Sequence, residues 1–184
     1  MWTEVATVLV TFLVIIDPVG LVPVFMSLTY HQPAEKRHRT ALSSILAAAA
    51  ILTLFSIAGK QLLPLLGITL PALQISGGIL LMLLSVEMVF ARQSGLRSTT
   101  EAEKSEAQHK SDVAIFPLAV PLIAGPGAIT SSVMLMERAH GSLEMQAIVV
   151  LLMLSVLALT YLAFLGASRL MGVLGVTPVD QPSR

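Results

Sequence analysis

The sequence contains no cysteine, which removes disulfides, thiolate metal sites and cysteine nucleophiles together. Charge is scarce as well. Asp, Glu, Lys and Arg make up 12% of the 184 residues, against roughly 25% in a soluble domain. A globule of this length would lack the polar groups to cover its surface in water. The charges that are present cancel, 11 basic against 11 acidic. Bulk electrostatics therefore offer nothing to a nucleic-acid partner.

What fills the chain instead is apolar: 55% of residues are hydrophobic and the mean hydropathy is +0.84. The solvent for much of the chain is lipid, and the bilayer is its first expected partner. The opening stretch does not read as a cleaved signal peptide. Met1 to Val10 carries no Lys or Arg, and the apolar run is interrupted by Asp17-Pro18 where a small-residue cleavage site would be needed. It reads as a retained first span.

A helix crosses the hydrocarbon core with about 20 apolar residues. Five stretches qualify: Val5 to Leu28, Ala41 to Leu66, Leu70 to Phe90, Val113 to Met136 and Ala147 to Leu165. Between the third and fourth, Arg92 to Asp112 holds Glu101, Glu103, Lys104, Glu106 and Lys110 and reads as a solvated loop. The fold class is therefore all-α, a polytopic transmembrane helical bundle. Its organisation is a first repeat over 1–94, a cytoplasmic loop over 95–112 and a second repeat over 113–184.

Basic residues sort by side. Lys36, Arg37 and Arg39 lie in the first loop, Arg92, Arg97, Lys104 and Lys110 in the long loop, and Arg169 and Arg184 after the fifth span. The other side has Arg138, plus Lys60 near the end of the second span, where it can snorkel outward. The positive-inside rule then puts the N-terminus outside. Topology accounts for the basic loops without a special lipid or protein partner, and the interleaved Glu residues argue against a polybasic patch.

Two segments match each other. Ile16-Asp17-Pro18-Val19-Gly20-Leu21 lies over Ala124-Gly125-Pro126-Gly127-Ala128-Ile129, with Pro18 on Pro126 and Leu21 on Ile129. Each breaks the first apolar run of its half near its middle. Three spans before the loop make the second half enter the membrane the other way, which is the inverted-repeat plan of many secondary transporters. The second half has two spans to the first half's three. The piece Leu170 to Val176 is too short to cross, so either five spans suffice or a sixth has been lost.

Proline is excluded from helix interiors but favoured at a helix start. Asp17-Pro18 thus reads as an N-cap followed by a new helix, and Gly125-Pro126-Gly127 as a second such start, with glycine permitting a sharp turn. At about 1.5 Å per residue, both breaks fall near the midplane. Pro23, Pro117 and Pro121 loosen the same helices. Two half-helix N-termini would bring free N–H groups and partial positive charge to one spot, and Asp17 adds a carboxylate there. Two readings of Asp17 stand: a cap only, or a cap that also meets substrate. Gly125-Pro126-Gly127 is likewise either a packing kink or half of a site. Thr130, Ser131 and Ser132 follow it, and hydroxyls at such positions usually bond their own helix backbone.

Other features carry less. Glu87 lies near the cytoplasmic end of the third span, and Gln74 near its outer end suits a helix–helix hydrogen bond. Ser43, Ser44 and Ala47 to Ala50 form a small-residue surface for close packing. The four histidines, His31, His38, His109 and His140, fall in expected loops without metal-ligand spacing. No phosphate loop, nucleotide motif or catalytic triad is present in the sequence. No enzymatic activity, cofactor or metal is expected.

Ile16 to Phe25 and Pro117 to Thr130 together resemble the MarC family of bacterial inner-membrane proteins, and the resemblance runs to about Met171. It implies six spans, an N-terminus outside and kinship with small-metabolite exporters of the LysE type, some members being described as neutral amino acid transporters. By position, Asp17, Pro18, Gly20 and Pro23 occupy its first motif, and Pro121, Gly125, Pro126 and Gly127 its second. The sixth span that the family implies has no counterpart here.

The expected function is transport of a small zwitterion such as a neutral amino acid. The expected substrate-binding set is Asp17, Pro18, Gly20, Gly125, Pro126, Gly127 and Thr130. The start at Gly125-Pro126-Gly127 would take a carboxylate, and Asp17 an ammonium group or a coupling proton. The alternatives are a membrane scaffold that does not transport, or an inactive truncated copy of a transporter. The uncovered face of a two-span second half leaves room for a homo-oligomer.

Overall fold

The computed structural model describes residues 2–30, 32–89 and 113–173. Among these every regular element is helical: α1 (Trp2–Ile16), α2 (Pro18–Thr29), α3 (Ala34–Leu65), α4 (Leu70–Val89), α5 (Ala114–Ile123), α6 (Pro126–Arg138) and α7 (Leu143–Val173). Three stretches are long and apolar enough to cross a membrane, Trp2–Thr29, Ala34–Leu65 and Leu143–Leu170, and α5 with α6 makes a fourth if that bent pair is one span. The expected crossing at Leu70 to Phe90 is a single helix of 20 residues, α4, about 30 Å long, which stands outside that set. Residues 95–112, including His109 and the charged loop, lie outside the described residues, as do His31 and the side chain of Glu87.

Helices α1 and α2 act as one 28-residue crossing despite the proline. Pro18 has no N–H and disfavours the helical region for the residue before it. Asp17 responds by taking φ 50° and ψ 69°, the left-handed conformation that Asp tolerates better than most residues. The ladder closes again on both sides: Asp17 N–H donates to the Leu13 carbonyl at 3.0 Å, and Leu21 N–H to the Asp17 carbonyl at 3.1 Å. The break is a defect within one crossing.

The second break is larger. In α5, Phe116 (φ −128°, ψ 126°) and Val120 (φ −128°, ψ 124°) are extended because each precedes a proline. The segment winds wide, and Ala124 N–H reaches back five residues to the Ala119 carbonyl at 2.8 Å. Helix α6 then leaves at 55°. Such irregular backbone is costly in lipid unless protein covers it. Pro117, Leu118, Ala119, Leu122 and Ile123 are buried, with α5 packed on α3, while the extended residues Phe116 and Val120 are themselves exposed.

Helix α3 is the hub, packing on α5, α6 and α7. Its buried stripe includes Ala41, Ser44, Ala48 and Leu52; of the expected small-residue surface Ser44 and Ala48 are buried, whereas Ser43 and Ala50 are exposed. At 32 residues it spans about 48 Å, more than the roughly 30 Å hydrocarbon core. It begins earlier than expected. Lys36, Arg37, His38 and Arg39 therefore lie in its opening turns, which corrects the loop placement of His38 and of the first basic cluster. The helix ends in a glycine cap: Gly67 at φ 70°, with Ile68 N–H on the Leu63 carbonyl at 2.9 Å and Gly67 N–H on Pro64 at 3.0 Å.

Helix α7 is also longer than expected, continuing to Val173, so Leu170 to Val173 extends the fifth span and is no separate piece. It packs on α1, α2 and α3. The rings of Phe25 and Phe164 stack there with centroids 4.3 Å apart and planes 7° from parallel. Phe12, Ile16, Leu21, Leu52, Leu118 and Met153 fill the rest of the interior. The outward face is as apolar as the inside: Val10, Val14, Val19, Leu54, Ile57, Leu151 and Leu162 are all exposed. In water that surface would aggregate; in acyl chains it is the matched one.

Candidate functional site

Asp17 caps α2 as its sequence context implies. Its Oδ1 accepts from Gly20 N–H at 2.9 Å, and Pro18 occupies the first turn. Gly20 is required here by space. A Cβ at that position would run into the Asp17 carboxylate. The first motif is therefore one local device, in which the carboxylate folds back onto the helix start and glycine gives it room. Asp17 and Gly20 are half-buried and Pro18 is buried.

The second motif is built differently. Gly125 has φ −75° and ψ 170°, extended backbone that any residue adopts. The expectation that glycine serves a sharp turn is thus corrected. Its role is close approach, because a Cβ on Gly125 would strike the carbonyl oxygen of Pro121. No side chain caps α6. Pro126 is exposed, while Gly127 and Thr130 are buried.

Thr130 donates its hydroxyl to the Pro126 carbonyl at 2.7 Å, and Ser132 donates to Ile129 at 2.8 Å. Both hydroxyls thus serve their own helix, as β-hydroxyls commonly do. Thr130 also faces Gly77 of α4, where a Cβ would come 2.5 Å from its Oγ1. Glycine at 77 lets α4 lie directly on α6, the small-residue packing that membrane helices use.

Four cavities lie toward the two ends of the bundle, and none of these four is lined by Asp17 or by Gly125 to Gly127. One of 280 Å³ lies between Thr3 and Glu4 of α1 and Arg138 at the end of α6. One of 460 Å³ lies at the opposite end, between the start of α3 and Ala114. At that end His38 Nε2 and the Tyr161 hydroxyl are 2.8 Å apart, joining α3 to α7. The remaining two, of 260 and 540 Å³, share Lys60, Val133 and Glu137. Lys60 Nζ and Glu137 Oε1 are 3.2 Å apart, an ion pair between α3 and α6.

The sequence reading left Lys60 to snorkel alone and did not single out Glu137. Both end a crossing on the N-terminal side, and that shared depth was the available signal. Among the described residues no group of His, Asp and Glu could hold a metal ion.

With two proline-broken apolar segments and an apolar exterior in place, the sequence profile of the MarC family integral membrane proteins matches residues 2–184. The chain belongs to the MarC family. Similar MarC-type chains occur in archaea and bacteria. A UPF0056 membrane protein of Methanocaldococcus jannaschii is 38% identical over 161 residues, 88% of this chain and 77% of the relative. The UPF0056 membrane protein YvbG of Bacillus subtilis is 29% identical over 184 residues, all of this chain and 87% of the relative. YhcE of Escherichia coli is 37% identical over 126 residues, 68% of this chain and 58% of its own length. No solved structure matches.

Proposed function

We propose that this MarC-family chain is a secondary transporter of small zwitterionic metabolites, such as neutral amino acids. The observation that carries the reading is a pair of helix starts inside apolar crossings, Pro18 after Asp17 and Pro126 after Gly125. Each such start brings N–H groups and partial positive charge to a depth where lipid offers neither. In this reading the α6 start takes the substrate carboxylate, and Asp17 takes the ammonium group or a coupling proton. The two halves work as inverted repeats, with the N-terminus outside and the basic loops in the cytoplasm of a bacterial inner membrane.

A second reading, a scaffold that does not transport, has a specific observation in its favour. Asp17 already accepts from Gly20 N–H, the Pro121 carbonyl already lies close against Gly125, and none of the four cavities described above is lined by Asp17 or Gly125. Asp17→Asn separates the two. Asn keeps a capping oxygen and tolerates the left-handed backbone, so the variant should insert and fold. Uptake of labelled neutral amino acids into proteoliposomes should then be abolished under the transporter reading. Wild-type uptake by the variant would reduce Asp17 to a cap.

A further inference from the structure

The Lys60–Glu137 pair has no role in the proposed midplane site, yet it is the shared wall of two cavities. Its placement is fixed by the backbone beneath it. Gly59 precedes Lys60 and meets Val133, so closely that a Cβ would fall 2.6 Å from a Val133 methyl. Val133 lies one helical turn before Glu137 on α6. The glycine lets α3 and α6 approach, and the approach brings an ammonium and a carboxylate into register at 3.2 Å.

The pair is poorly explained as a structural clamp. The Lys60 and Glu137 side chains are 56% and 39% exposed, and exposed ion pairs contribute little to stability. Further polar groups line the smaller cavity: Ser56, Gln61, His140 and Gln146. Ser56 is buried and its hydroxyl is directed at the Met153 sulfur, 3.8 Å away. Ile57, Val133 and Met136 supply an apolar side. At 260 Å³ the space falls just under the roughly 300–1,000 Å³ of sites for drug-sized ligands, which suits a smaller molecule.

We propose that this cavity is a binding site for a small molecule carrying both a carboxylate and an ammonium group. The ligand carboxylate replaces Glu137 on Lys60, and the ligand ammonium replaces Lys60 on Glu137. Net charge in the site is unchanged, so neither side chain is left unpaired. A ligand with only one charge leaves one of the two without its partner and gains less. The apolar wall accepts an aliphatic side chain. This site stands or falls independently of the midplane reading, because binding at the surface requires no transport.

The test is saturation-transfer NMR on the full chain in nanodiscs, with glycine, L-alanine and L-leucine as probes and propionate and ethylamine as single-charge controls. The amino acids should give transfer and the controls should not. K60Q and E137Q should each weaken amino acid binding tenfold or more while leaving the melting temperature unchanged. Absence of transfer to all three amino acids, or equal transfer to propionate and ethylamine, overturns the proposal. So does binding that survives K60Q and E137Q but is lost in D17N, which would place the ligand at the midplane instead.

Discussion

Gly77 on α4 lies against Thr130 on α6 so closely that a Cβ at position 77 would stand 2.5 Å from the Thr130 hydroxyl oxygen and 3.0 Å from its Cβ. The hydroxyl cannot easily turn away, because it is bonded to the Pro126 carbonyl at 2.7 Å. This contact holds α4 to the helix that begins at the second break.

Gly77→Ala should therefore destabilise the protein by about 1–3 kcal/mol, the usual cost of overpacking a fitted interface. Thr130→Ala removes both γ atoms and should recover part of that loss in the double variant. Unfolding in detergent, followed by helicity, gives the coupling between the two sites, expected at about 0.5 kcal/mol or more. Strictly additive effects would show that the two helices do not rest on this contact.

The Asp17–Gly20 device predicts a change of sign. Gly20→Ala in the wild-type chain drives a methyl into the Asp17 carboxylate and breaks the cap, costing about 1 kcal/mol. Asp17→Gly keeps the left-handed backbone without strain and removes the carboxylate. In that background Gly20→Ala should become neutral or stabilising by up to about 1 kcal/mol, through alanine's helix propensity. Loss of stability in both backgrounds would mean that something other than the carboxylate crowds Gly20.

The stacked rings of Phe25 and Phe164 tie α2 to α7. Phe164 is fully buried, and a Phe→Ala change in a soluble core costs about 3–5 kcal/mol. In lipid the hydrophobic transfer part of that cost is largely absent, and lost dispersion contacts dominate. Phe164→Ala should accordingly fall near or below about 3 kcal/mol, and Phe164→Leu well below it. Denaturant midpoints in matched detergent would check the order. A Leu variant no better than Ala would point to the ring geometry itself as the stabilising element.

Much of this architecture was legible in the chain because its causes are local. Pro18 and Pro126 stand at helix starts, where a missing N–H costs nothing. The clash of a proline ring with the residue before it favours the extended Phe116 and Val120. Pro23, by contrast, lies inside α2 without breaking it. The Asp17 cap spans three residues and needs nothing from the rest of the fold. The apolar exterior follows from composition, since a chain with so little charge has no other surface to present.

The tertiary structure decided what lies between helices. Gly125 looked like a turn residue, and only the position of the Pro121 carbonyl shows that it is there for clearance. Gly59 against Val133, Gly77 against Thr130, and Lys60 against Glu137 join residues far apart in the chain, with no periodicity to announce them. Helix–helix distance depends on which small residue faces which neighbour across the interface. That facing is set by the rotation of whole helices about their axes, a property the sequence of one helix does not contain.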